Sequence, residues 1–200
     1  MFNGRKCAVM LVACLLVPLL GCAGSSRWVD PSTPDTKGAG MGDTDIKLMV
    51  EDTVSDLLQS PAIKQYQLPV TISVLHIGNK TSEFIDTDAL IGDKIMMSIV
   101  KSGSGVFSFV DRKLLQETMR EAELAANGLV SQEEATRLGR AAGVKLLMTG
   151  DLSSIRKVDR REDQRYYRLS LRLVDTERNT VVWMDDKDLR KVAEKGVVQW

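Results

Sequence analysis

The sequence predicts an α+β fold: a mixed sheet of about five strands, built from a βαβ unit and an antiparallel meander, with helices packed on it. Two observations predict this. An alternating apolar run at 70–77 is followed by helical periodicity at 91–100 and a second short apolar run at 106–110, the order of a strand, helix, strand unit. Three further strand-like runs then follow from position 144 with a polar turn between the last two, which is the pattern of a hairpin meander.

The chain opens with an address rather than with the fold. Arg5 and Lys6 precede fourteen residues, Cys7 to Leu20, that are apolar throughout. As a helix these rise roughly 21 Å, short of the ~30 Å hydrocarbon slab that a spanning helix must cross. A basic start, a short apolar core and a small-residue end make residues 1–21 a secretory signal. Leu19-Leu20-Gly21-Cys22 resembles the bacterial lipobox, which implies that Cys22 becomes the first mature residue and carries lipid. Several acyl chains anchor stably where one does not, at about 0.8 kcal/mol per buried CH₂. Ala23, rather than Asp, after the cysteine resembles the outer-membrane sorting signal of Gram-negative lipoproteins. Residues 22–44 are rich in Gly, Ser, Pro and Thr, too poor in apolar groups to offset the entropy of ordering them, and read as a flexible tether.

From residue 45 to 200 the pattern is that of one domain, about 155 residues long and sufficient for a sizeable core. Ile46, Met49, Val50, Val54, Leu57 and Leu58 recur at helical spacing, with N-cap chemistry available from Asp43 to Asp45 and Pro61 as a stop. The stretch "LPVTISVLHIGN" alternates at first and is then apolar on both faces at Leu75 and Ile77, as a central strand should be. Asp86 or Thr87 can cap a helix carrying Ile91, Ile95, Ile99 and Val100, which "KSGSG" ends before the strand "VFSFV". Asp111 can cap a helix through Leu115, Met119 and Ala122, and Ser131 with Glu134 has capping-box spacing before Ala135, Leu138 and Ala142. The strands "VKLLMTGDL", "RYYRLSLRLVD" and "TVVWMD" complete the meander. Its turn is Thr176 to Asn179, and any left-handed position that a glycine would otherwise hold there falls to Asn179.

Composition excludes several functions. The full chain balances 27 basic against 27 acidic residues, and loss of residues 1–21 removes Arg5 and Lys6 alone, leaving 25 against 27. A net charge near −2 gives no general attraction to nucleic acid. With Cys7 and Cys14 gone and Cys22 modified, no thiol remains for a disulfide, a nucleophile or a metal. His76 is the sole histidine, so histidine triads and multi-histidine metal sites are excluded by count; on its strand it reads as a satisfied side chain. The carboxylates at Asp43/Asp45, Asp159/Glu162/Asp163 and Asp185/Asp186/Asp188 are interleaved with Lys or Arg and read as solvated charge. "SGSG" follows a helix, opposite to the context of a phosphate loop. No catalytic residue, metal or cofactor is expected; a binding role is.

The stretch 72–112, "ISVLHIGNKTSEFIDTDALIGDKIMMSIVKSGSGVFSFVDR", resembles the opening of the globular domain of LpoB-like penicillin-binding protein activators: a strand ending in an Asn-Lys-Thr turn, a helix, a Gly-containing loop and a short strand. "LRLVDTERNTVVW" resembles that family's last hairpin and "LRKVAEKGVVQW" its basic tail. The resemblance implies a periplasmic domain, tethered to the outer membrane, that binds a class A penicillin-binding protein and stimulates peptidoglycan synthesis. A second resemblance, through the "VLxxxN" strand, is to envelope-assembly components such as curli-secretion lipoproteins and the TolB amino-terminal domain. Tyr167, Leu169, Leu171 and Leu173 alternate with Tyr166, Arg168 and Arg172. Because Tyr and Arg are enriched in binding hot spots, Tyr166, Arg168 and Arg172 are the expected partner-binding residues.

Overall fold

In a computed structural model of the protein, residues 28–36, 38–111 and 142–194 are described, with isolated positions between 113 and 140. The chain divides into two units, Met1–Asp30 and Pro31–Trp200, and the architecture below is that of the second. Its elements are α1 (Asp43–Gln59), α2 (Pro61–Lys64), β1 (Val70–Lys80), a π turn (Asp88–Gly92), α3 (Asp93–Ser102), β2 (Phe107–Phe109), β3 (Leu146–Val158), β4 (Glu162–Asp175) and β5 (Thr180–Glu194). The five strands lie in the order β2-β1-β3-β4-β5. β1 runs parallel to β2 and β3, whereas β3, β4 and β5 are antiparallel. This is the expected mixed sheet: a parallel unit joined to a meander. Cys22 and most of the two expected helices between Asp111 and Ala142 lie outside the described residues.

Helix α1 buries Ile46, Met49, Val50, Val54 and Leu57, the face their spacing marks out. Its cap differs from expectation: Gly42 occupies the N-cap, and Asp45 reaches back so that its Oδ2 accepts the Gly42 N–H at 2.8 Å. Asp86 caps as expected, its Oδ1 accepting the Ala89 N–H at 3.0 Å. The backbone then makes a π turn before α3, where Ile91, Ile95 and Ile99 are buried and Val100 faces solvent. Val100 follows Ile99 by about 100° around the helix, off the sheet-facing stripe.

Two apolar clusters sit on the sheet. The larger includes Val50, Leu57, Ile72, Ile77, Ile95, Leu169 and Leu171; the smaller joins Leu115, Val144 and Leu147 to Leu75 and Val110. Gly150 on β3 faces Leu171 on β4 so closely that a Cβ there would stand 2.4 Å from both the Ser170 carbonyl oxygen and Leu171 Cδ2. Backbone cannot yield as a flexible side chain does. Gly150→Ala is therefore expected to lower the unfolding free energy by about 3 kcal/mol, read from the urea midpoint.

Several boundaries differ from expectation: β3 runs to Val158, past the expected end at Leu152, and β4 begins at Glu162, before Arg165. Residues 39–44, assigned to the tether by composition, pack on the domain: Ala39 is buried, Met41 lies against the larger cluster, and α1 has begun by Asp43. β5 continues to Glu194, past the expected end at Asp185. Polar side chains on both of its faces conceal the strand. Lys187 and Lys191 turn inward to Asp56 and Asp45 on α1, while Asp188 pairs outward with Arg168. At the β4–β5 turn, Asn179 has φ 54°, the left-handed conformation expected of it.

Candidate partner-binding surface

The long strands present their outer side chains in register. Tyr167, Leu169, Leu171 and Leu173 are buried inward, so Tyr166, Arg168 and Arg172 fall on the opposite face by strand alternation. Arg168 stands across from Asp188 on β5. Its Nε donates to Asp188 Oδ1 at 2.8 Å and its Nη2 to Oδ2 at 3.1 Å, a bidentate pair. Nη2 also donates to the Tyr166 hydroxyl at 2.7 Å, and the guanidinium lies 5.7 Å from that ring's centroid. Bonds from the Arg168 guanidinium, and secondarily from the Tyr166 hydroxyl, hold the Asp188 carboxyl down at about 2. The trio is fixed in place while the surface around it stays open.

Arg172 belongs to a second cluster. Its Nη2 is 3.7 Å from Asp151 Oδ2, to which Lys80 Nζ is also close at 2.9 Å. Four residues of strand separate Arg172 from Arg168, roughly 13 Å, so the three expected residues share a face without forming one site. Beside Tyr166 a shallow depression of about 430 Å³ is lined by Ile155, Lys157, Gln164, Arg165, Tyr166 and Arg190. Ile155, Met184 and Val192 are exposed apolar residues on these strands. Asp188, Ile155 and Arg190 were not among the expected site residues; continuing the alternation of β5 beyond Asp185 would have found Asp188 and Arg190.

A partly buried network holds this face from behind. Glu83 Oε1 accepts from the Tyr167 hydroxyl and from Arg165 Nη1, while Oε2 accepts the Met41 N–H at 3.1 Å. Tyr167 also reaches the Ala39 carbonyl at 3.2 Å. Burial pushes the Glu83 carboxyl up, but bonds from Tyr167, Met41 and Arg165, with the Arg165 charge, outweigh it and leave the pKa lowered. Burial first, then the bond to Glu83, raises the Tyr167 phenol to about 12. The sign for Glu83 follows: a carboxyl lowered by folding contributes stability above its unfolded value, and this is lost as pH falls through the folded value. Unfolding free energy is expected to decline below about pH 4.5, and to do so less steeply in Glu83→Gln, measured by urea titration at a series of pH values.

The Asn79-Lys80-Thr81 turn is self-satisfied. Asn79 Nδ2 donates to the Glu83 and Ile85 carbonyls, and Asn79 Oδ1 accepts from the Thr81 N–H and hydroxyl. It positions Glu83 more than it offers groups to a partner. His76 is exposed, with Nδ1 2.9 Å from Asp88 Oδ2. The acidic clusters are engaged within the fold: Asp45 with Gly42 and Lys191, Asp159 with the N–H groups of Arg161 and Glu162, Asp185 with Lys187. Among the described residues, no three His, Cys, Asp or Glu side chains converge as a metal site.

Comparison with known proteins agrees with this fold. Residues 45–189 match the family described as peptidoglycan-synthase activator LpoB. Among solved structures, the chain is similar to the LpoB C-terminal domain from Salmonella enterica, with 15% identity, a TM-score of 0.53, and coverage of 72% of this chain and 98% of that one. The LpoB C-terminal domain from Escherichia coli gives 15% identity, a TM-score of 0.52 and the same coverage. No curated protein is significantly similar in sequence. Such identities establish a common fold, and the match over 45–189 goes further: the chain belongs to the LpoB family of peptidoglycan-synthase activators, regulators rather than enzymes.

Proposed function

We propose that this protein is a lipid-anchored periplasmic activator that binds a class A penicillin-binding protein through the outer face of β3, β4 and β5 and stimulates its glycan polymerisation. One observation carries the placement. On that face a preorganised Tyr166–Arg168–Asp188 trio adjoins the exposed apolar side chains Ile155 and Val192, and a rigid aromatic and arginine anchor beside apolar surface is the make-up of a binding hot spot. Immobilised protein is expected to retain a class A synthase from a membrane extract of the source organism and to lose it when Tyr166 and Arg168 are both replaced by Ala. Retention undiminished by that double substitution contradicts the placement.

Cys22 is the proposed lipid site, and the membrane that holds it the outer one. Cys22→Ala is expected to abolish metabolic palmitate labelling and to leave the signal uncut, read by mass. Because Asp35 is held by Lys191 and Ala39 is packed on the domain, the chain between Cys22 and the fold is about twelve residues and reaches at most roughly 45 Å. The synthase must therefore be met near the anchoring membrane.

A further inference from the structure

One end of the sheet gathers three features that lie beyond the Tyr166–Arg168–Asp188 trio, although Lys157 among them also lines the depression beside Tyr166. The β3–β4 hairpin turns there, between Val158 and Glu162, and Lys157, Val158, Arg160 and Arg161 are all exposed. Unlike Arg156, which is bonded to Asp163, Lys157, Arg160 and Arg161 have no side-chain partner among the described residues. The three carboxylates of the hairpin bond within it, and Glu194 of β5, in register with Glu162, is exposed at the same end. Asp159 Oδ1 accepts the Arg161 and Glu162 N–H groups, Glu162 Oε2 accepts from Gln164, and Asp163 takes Arg156.

Phe84 is the second feature. It is fully exposed, next to Glu83, which bonds Arg165 one strand position beyond Tyr166 toward the hairpin. The third is where the chain from Cys22 joins the fold. Asp35, by its carbonyl, and Asp45 both accept from Lys191 Nζ, and Lys191 is in register with Arg165 and thus with Arg156, two residues from Val158. The lead-in from the anchor therefore meets the domain at the end that carries the basic hairpin and Phe84. Asp35 lies thirteen residues from Cys22, a span of at most roughly 45 Å.

We infer that this end of the domain docks on an anionic lipid surface, with Lys157, Arg160 and Arg161 on the headgroups and Phe84 and Val158 at the apolar boundary. The inference rests on the proposed lipidation of Cys22 for its orientation, since that anchor brings this end to the membrane first. Basic side chains beside exposed aromatic and aliphatic groups are the combination that binds such interfaces, and an acyl anchor with a basic patch holds better than either alone. Docking here leaves Arg168 and Asp188, which lie farther from the hairpin turn than Tyr166 and Lys157, open to a protein.

The test uses the protein as purified after expression of the full chain, carrying Val158→Cys and labelled there with a polarity-sensitive dye, and vesicles of phosphatidylcholine alone or mixed with phosphatidylglycerol. The expected result is flotation with both vesicles, but a blue shift of the dye in the phosphatidylglycerol mixture alone, reversed by high salt. Each basic side chain near an anionic surface contributes about fivefold, so Lys157→Ala, Arg160→Ala and Arg161→Ala together should reduce the docked-to-undocked ratio roughly a hundredfold. Flotation with the dye still reporting water in phosphatidylglycerol overturns the docking and leaves the anchor standing. Flotation with the phosphatidylglycerol mixture alone supports the docking and removes the anchor; flotation with neither overturns both.

Discussion

Glu83→Ala is expected to lower the unfolding free energy by about 3 kcal/mol, among the largest losses available to a single side chain outside the apolar core. The substitution removes one carboxylate, leaves Arg165 Nη1 and the Met41 N–H without their acceptor, and leaves the Tyr167 hydroxyl only the longer bond to the Ala39 carbonyl. Arg165 and Tyr167 are at best slightly exposed, so water replaces little of what is lost. Residues 39–42 are tied to the domain through the same carboxylate and through Tyr167. Their amides should consequently exchange with solvent far faster in the variant, which hydrogen exchange measures alongside the urea midpoint. A change below about 1 kcal/mol would mean that the network stabilises little.

The second large effect is on binding. Arg168→Ala with Arg172→Ala is expected to weaken association with the synthase by roughly ten- to a hundredfold, the range of a hot-spot residue, with the thermal midpoint unmoved. Most of that loss is assigned to Arg168. It alone orders Tyr166 and pairs bidentately with Asp188, whereas Arg172 stands about two side-chain positions along the same face, near Asp151. Arg172→Ala alone should change affinity less than Arg168→Ala alone, as measured by isothermal titration. Unchanged affinity in the double variant would move the binding face elsewhere on the domain.

Legibility in the sequence followed the apolar pattern. From Val70 to Phe109 the strand, helix, strand order and the Asp86 cap could be read because apolar spacing and cap chemistry agree there with the tertiary packing. The inward set Tyr167, Leu169, Leu171 and Leu173 could be read for the same reason, and with it the outward position of Tyr166, Arg168 and Arg172. Where charged side chains do the packing, the pattern fails. β5 beyond Asp185 alternates lysine inward with aspartate outward, so the strand looks like a polar tail and Asp188 goes unnoticed as the partner of Arg168. The packed segment 39–44 was hidden by composition. Ala39 and Met41 are small or isolated apolar residues among glycines, and what holds them is Glu83 and Tyr167, some forty and one hundred and thirty positions away in the chain.

Family membership and the exposed trio converge on one central claim, that this domain acts on a synthase rather than on a substrate of its own. The rate of glycan polymerisation by each class A synthase of the source organism, measured with and without the purified protein, tests it most directly. A severalfold rise is expected with at least one of them, lost when Arg168 is replaced by Ala. An unchanged rate with every synthase, together with no detectable binding, would contradict it.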